Sequence, residues 1–152
     1  MPIQRPEPPR APPVRLTGTD RLATLERTRL GAEIVAAYAT VRVALLGRPI
    51  EATVERIREP QGPRNPPSPG GFEEACRLGH AVARTLAHLP GDTRCLVRSL
   101  VLTRLLARRG IPSRLVIGVR SGQGFLAHAW VEHGGEAVLD PGDGSFGRLV
   151  EL

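Results

Sequence analysis

Cysteine and histidine are the side chains best suited to nucleophilic catalysis near neutral pH, and the sequence carries two of the first and four of the second. Cys95 stands in the opening turn of a leucine-rich segment, 93–109. There Leu96, Val97, Leu100, Val101, Leu102, Leu105 and Leu106 put apolar groups on nearly every side. A helix of that kind is central and buried. At its start, backbone N–H groups without helical partners and the positive end of the dipole favour a thiolate. The same N–H groups can hold the oxyanion of an attacked carbonyl. The competing reading is a small buried hydrophobe, the usual role of a free cysteine, and position alone leaves both open. Cys76 is the contrast, since it sits mid-helix among small and apolar neighbours, which points to core packing.

The base must come from the histidines. His80 and His88 belong to the helical segment ahead of Cys95, and His133 stands beside a hairpin turn. His128 lies inside a strand, FLAHAWVEH, between Ala127 and Ala129. Alternation puts Leu126, His128, Trp130 and Glu132 on one face and Phe125, Ala127, Ala129 and Val131 on the other. A histidine satisfied by backbone is the competing account. Asp140 closes the next strand, and its carboxylate would orient the imidazole as in Cys/His/Asp triads. Asp140-Pro141-Gly142 is equally ordinary turn chemistry. A two-residue turn at Gly134-Gly135 pairs Ala129 with Asp140 and turns the carboxylate away from His128. A three-residue loop that includes His133 pairs His128 with Asp140, so the triad predicts that register. Glu132 and Asp143 are the substitute acids if it fails.

The elements that must position these residues follow from periodicity. Leu22, Leu25, Leu30, Ile34, Val35, Tyr38, Val41, Ala44 and Leu45 recur at helical spacing, which predicts a helix over 20–46 broken at Gly31. Ile50, Val54 and Ile57 add a second helix or an extended piece. Residues 60–71, with five prolines and three glycines, read as a linker loop. A helix over 72–88 stops at Pro90-Gly91. Asp92 is the expected N-cap of the helix over 93–109, and Gly110 its stop before Pro112. The period then changes to two, giving strands at 115–119, 125–133 and 136–140. Helices first and an antiparallel meander afterwards make an α+β domain. Residues 1–17, with six prolines, read as a disordered or extended tail. The domain is therefore 18–152, made of a helical part 18–59, the linker 60–71 and a catalytic core 72–152.

Composition narrows the class. A chain of 152 residues, 41% hydrophobic, holds one modest core. Two cysteines build neither a disulfide framework nor a four-ligand zinc site, which suits a reduced cytosolic protein. No signal peptide opens the chain, because polar and proline-rich residues precede the first apolar stretch. Glu33 and Arg42 interrupt the best candidate for a membrane span. The net charge of +6 comes from 21 arginines without a lysine. They are scattered and not interleaved with aromatics, so they do not form a nucleic-acid footprint.

Taken together, RCLVRSLVLTRLLARRGIPSRLVIGV, then FLAHAWVE, then VLD, resembles the transglutaminase-like, papain-like cysteine peptidases of lasso-peptide biosynthesis, specifically the standalone protease half of the split B protein. The agreement spans about residues 90–140. The resemblance implies a central helix carrying the cysteine, with histidine and aspartate on adjacent strands. On that mapping Cys95 matches the nucleophile, His128 the general base and then acid, and Asp140 the orienting carboxylate. It implies a ribosomally made precursor peptide cut at its leader–core junction through a thioester. A separate leader-recognition protein presents the precursor, and a separate ATP-dependent cyclase, a further candidate partner, closes the core. The chain has no GxxxxGK[ST] phosphate loop, so ATP belongs to the cyclase and no cofactor is expected here. Two other readings remain: another transglutaminase-like acyl-transfer enzyme, which product mass would reveal, and a non-catalytic peptide-binding scaffold, whose function would survive loss of Cys95.

Overall fold

In the computed structural model, the residues described are 18–58, 71–91, 94–122, 124–139 and 145–152. The expected tail 1–17 and nearly all of the linker 60–71 lie outside them, as do Asp92, Asp140 and Asp143. Among the described residues the chain forms α1 (Gly18–Ala44), α2 (Ile50–Arg58), α3 (Gly71–Leu86), α4 (Cys95–Arg108), β1 (Arg114–Gly122), β2 (Gly124–His133), β3 (Glu136–Ala137) and β4 (Gly147–Glu151). The order is α+β, as expected.

The apolar-all-round pattern of α4 makes it the centre. Leu100, Leu102, Leu105 and Leu106 are fully buried there, against Leu78 and Val82 of α3, Ile34 and Val41 of α1 and Ile57 of α2. The helix ends as its sequence dictates. Gly110 takes φ +67°, its N–H bonds Ala107 C=O and the Ile111 N–H bonds Leu106 C=O, a Schellman stop that only glycine enters without strain. Its start differs from expectation. The N-cap is Arg94, in an extended conformation and without a side-chain cap bond, rather than Asp92. The apolar pattern that predicts the helix begins at Cys95-Leu96, and Arg94 ahead of it is exposed. Helix α1 runs unbroken through Gly31, where an added Cβ would meet open space. One glycine costs about 1 kcal/mol relative to alanine, too little to break a long helix held by packing.

The sheet is antiparallel, in the order β3-β2-β1-β4. The β1–β2 hairpin keeps one register from Arg114↔Glu132 to Gly122↔Gly124. The next turn corrects the expected three-residue loop. His133 pairs with Glu136 and Glu132 with Ala137, so Gly134-Gly135 forms a two-residue turn, with φ +62° and +89°. Two consecutive positive φ values define the type I′ turn that matches strand twist, and His133 stays in the strand. The expected strand 136–140 is also shorter. After one further bond, Val138 N–H to Val131 C=O, the chain bends at Val138 and Leu139. Strand alternation therefore stops before Asp140. The sequence reading had no counterpart for β4, which pairs with β1 from Val119↔Gly147 to Val116↔Glu151 through a bulge.

Candidate active site

Cys95 is the first helical residue of α4 and is half-buried. The first intrahelical bond runs from Arg98 N–H to Arg94 C=O at 3.1 Å. The N–H groups of Cys95, Leu96 and Val97 therefore have no carbonyl of the helix to bond. The first turn carries no acidic side chain, so nothing in it opposes an anion at the positive end of the dipole.

Ser99, one turn further on, fixes this helix end to the sheet. Its Oγ donates to Ala129 C=O at 3.0 Å. The reason lies in the ladder. Val131 C=O accepts from Val138, the residue after β3, and carbonyls two residues apart point the same way. Ala129 C=O therefore also points to the β3 side, past Ala137, and there it accepts from Ser99. Two more anchors give the direction of α4 along that edge. Leu102 and the Val138 carbonyl, beside Val131, both border Gly79 of α3. Past the helix end, His133 Nδ1 lies 2.6 Å from Pro112 C=O. Helix and strand thus advance together from Ser99–Ala129 to Pro112–His133. Stepping back one turn, about 5.4 Å, carries Cys95 toward the Ala127–His128 end of β2.

His128 is half-buried. On β2, Ala129 and Val131 belong to the core shared with the helices, whereas Trp130 and its partner Val116 are buried outside that core. By alternation His128 lies on the Trp130 face. Its ring centroid is 6.1 Å from Trp130, nearly parallel at 21°, and 5.2 Å from Phe146 at 34°. Behind Trp130, Nε1 donates to Glu132 Oε1 at 2.9 Å, and the same oxygen accepts from Arg148 Nη2 at 2.6 Å. Behind Phe146, the Arg120 guanidinium lies 5.1 Å from the ring centroid. Gly118, opposite His128, makes room: a Cβ there would sit 2.7 Å from the Trp130 ring.

The other sequence candidates fall elsewhere. Cys76 is half-buried in the middle of α3 and packs against the core. His80 and His88 are exposed, and His133 is held at Pro112. Glu132, a substitute acid in the sequence reading, is bound to Trp130 and Arg148. Ser99, Gly118, Phe146 and Arg148 escaped the sequence reading. Ser99 alone left a trace, as a hydroxyl set among leucines and valines one turn after Cys95. Among the described residues, no group of three or more His, Cys, Asp or Glu could hold a metal ion, and no helix is long and apolar enough to cross a membrane.

A cysteine opening a buried helix that is bonded to a histidine-bearing antiparallel strand fits what comparison of the sequence finds. The family model of the transglutaminase-like superfamily matches residues 34–151, and the chain belongs to that superfamily. A stretch of 46 residues is 50% identical to the microcin J25-processing protein McjB of Escherichia coli. That match takes in 30% of this chain and 22% of McjB, so the chain corresponds to less than a quarter of its relative's length. No solved structure matches the chain significantly.

Proposed function

We propose that the chain is a cysteine peptidase that removes the leader from a ribosomally synthesised lasso-peptide precursor. Cys95 is the nucleophile and His128 the general base and acid; Asp140 takes the orienting role on the resemblance alone, because the two-residue turn removes the register that would have set it opposite His128. The observation that carries the reading is the attachment of the Cys95 end of α4, through Ser99, to the strand that holds His128. The similarity to a protein named for processing a microcin supports the choice of substrate.

In the first half-reaction His128 takes the thiol proton, and the Cys95 sulfur attacks the scissile carbonyl at the leader–core junction. The N–H groups of the first turn of α4, which have no helical carbonyl partner, hold the oxyanion. Collapse of the tetrahedral intermediate breaks the C–N bond, and protonated His128 gives its proton to the departing core amine. The leader remains as a thioester on Cys95. Water, deprotonated by His128, then attacks the thioester, which releases the leader carboxylate and returns the thiol. The peptidase acts in the cytoplasm beside a separate leader-recognition protein and a separate ATP-dependent cyclase, and it needs no cofactor of its own.

The test is to incubate the full chain with a precursor peptide and its recognition protein and follow products by mass. The expected products are leader ending in a free carboxylic acid, its acyl group plus one hydroxyl from water, and core with a free N-terminus. Cys95→Ala and His128→Ala should each remove them. A leader mass carrying an amine acceptor in place of water would make the protein an acyl transferase. Processing that survives Cys95→Ala would leave only a scaffold.

A further inference from the structure

The outer face of β2 holds a buried carboxylate that the proposed chemistry does not use. Glu132 is 5% exposed and is paired with Arg148. A buried ion pair is weak evidence for stability, since apolar replacements of similar volume often serve as well, so the pair invites a reading in terms of geometry. Both contacts of Glu132 fall on Oε1, with Trp130 Nε1 at 2.9 Å on one side and Arg148 Nη2 at 2.6 Å on the other. Arg148 is itself pinned, its Nη1 donating to Glu151 Oε1 at 2.7 Å. The indole is thus fixed at its only polar atom, and its ring lies nearly parallel to His128. Gly118 supplies the space in which that ring lies.

We propose that Trp130, Glu132 and Arg148 are positioning residues for His128: the Arg148–Glu132 pair locks the indole, and the indole holds the imidazole in one orientation against Phe146. The proposal rests on the reading of His128 as the base of the peptidase and adds what aims it. A stack alone permits the indole to slide or tilt. The hydrogen bond to Glu132 removes that freedom, and the charge from β4 keeps Glu132 from rotating away. The catalytic strand is in this way braced by the last strand of the sheet, through Arg148 rather than through its backbone.

The test uses the full chain, with iodoacetamide as the probe of Cys95 and with histidines labelled in 15N. Trp130→Phe keeps a ring beside His128 but removes its tether; Glu132→Gln keeps size and an acceptor oxygen but removes the charge that holds Arg148. Each should lower the alkylation rate of Cys95 by about tenfold, the effect of one misplaced charge-assisted hydrogen bond, while the rate at Cys76 stays unchanged. Loosening of the fold would raise the Cys76 rate, and Glu132→Gln, the gentler change, then decides. Long-range 1H–15N spectra should show one sharp set of His128 ring signals in the wild type and doubled or broadened signals in both variants. If His128→Ala slows Cys95 while both variants match the wild type, the positioning role is overturned and the peptidase reading stands. If His128→Ala leaves Cys95 unchanged, the peptidase reading fails, and unaltered ring spectra in the two variants would overturn the positioning role as well.

Discussion

Ser99→Ala is the sharpest test of how α4 is fixed against the sheet. Ser99 and Ala129 are 0% and 3% exposed, so truncation removes a fully buried hydrogen bond between α4 and β2. Taking a donor from a buried carbonyl costs about 1–3 kcal/mol. In a domain of this size that lowers the melting temperature by about 2–4 °C per kcal/mol. Thr103→Val is the internal control. Its Oγ1 also donates to a buried carbonyl, Ser99 C=O at 2.9 Å, but that carbonyl lies inside α4 and keeps a backbone N–H donor. Removing the Thr103 hydroxyl therefore orphans nothing, and the loss should stay below about 1 kcal/mol. Urea unfolding followed by circular dichroism gives both values, with the midpoint moving at constant m. Equal losses in the two variants would refute the claim that the Ser99–Ala129 bond fixes α4 to the sheet.

Three further outcomes follow from the same geometry. Gly79→Ala should destabilise by about 1–2 kcal/mol in thermal unfolding, because the new methyl collides with the Val138 backbone carbonyl; overpacking of this kind outweighs the gain in helix propensity. Gly118→Ala should lower precursor cleavage about tenfold or more with less effect on melting, since its Cβ would displace the Trp130 ring that lies against His128. The Glu151 carboxyl is held below its ordinary range, chiefly by the hydrogen bond from Arg148 and also by the charge of Arg114. Its contribution is therefore fully present above the ordinary carboxylate range and is lost as pH falls through the depressed value. Amide protection in β4, taken relative to the intrinsic exchange rate at each pH, should fall only in that acid window, and Glu151→Gln should abolish that fall.

What could be read from the sequence was what periodicity controls. Helix α4 announced itself through leucines on every side, and β1 and β2 through strict alternation. Strand β4 did not, because it is an edge strand whose Leu149 is 60% exposed and whose inward contacts are made by Arg148 and Glu151, residues that look like solvated charge. The turn at Gly134-Gly135 was legible, since paired glycines favour two-residue hairpins. The expectation of a three-residue loop came from carrying strand alternation as far as Asp140, whereas the chain bends at Val138 and Leu139. At the site, residue type singled out Cys95 and His128. The residues around them, Ser99, Gly118, Phe146 and Arg148, matter through where the fold brings them, and no local pattern encodes that.

The motif AHAWVE divides its work by parity. Its odd positions, Ala127, Ala129 and Val131, share the helix-facing side, where Ala129 and Val131 enter the core. The small side chain at Ala129, buried in the core, lets α4 come close enough for a serine to reach a strand carbonyl, which a bulky residue there would prevent. Its even positions, His128, Trp130 and Glu132, form one line on the other face, from imidazole to indole to carboxylate. A strand can serve both purposes because neighbouring side chains point to opposite faces while its backbone is shared. The two faces then respond differently to change. Lesions at the helix-facing contact, such as Ser99→Ala, act first on stability, and lesions on the outer face, such as Gly118→Ala, act first on how His128 is held. The shared backbone couples them at one place: the carbonyl that Ser99 grips belongs to the residue next to His128.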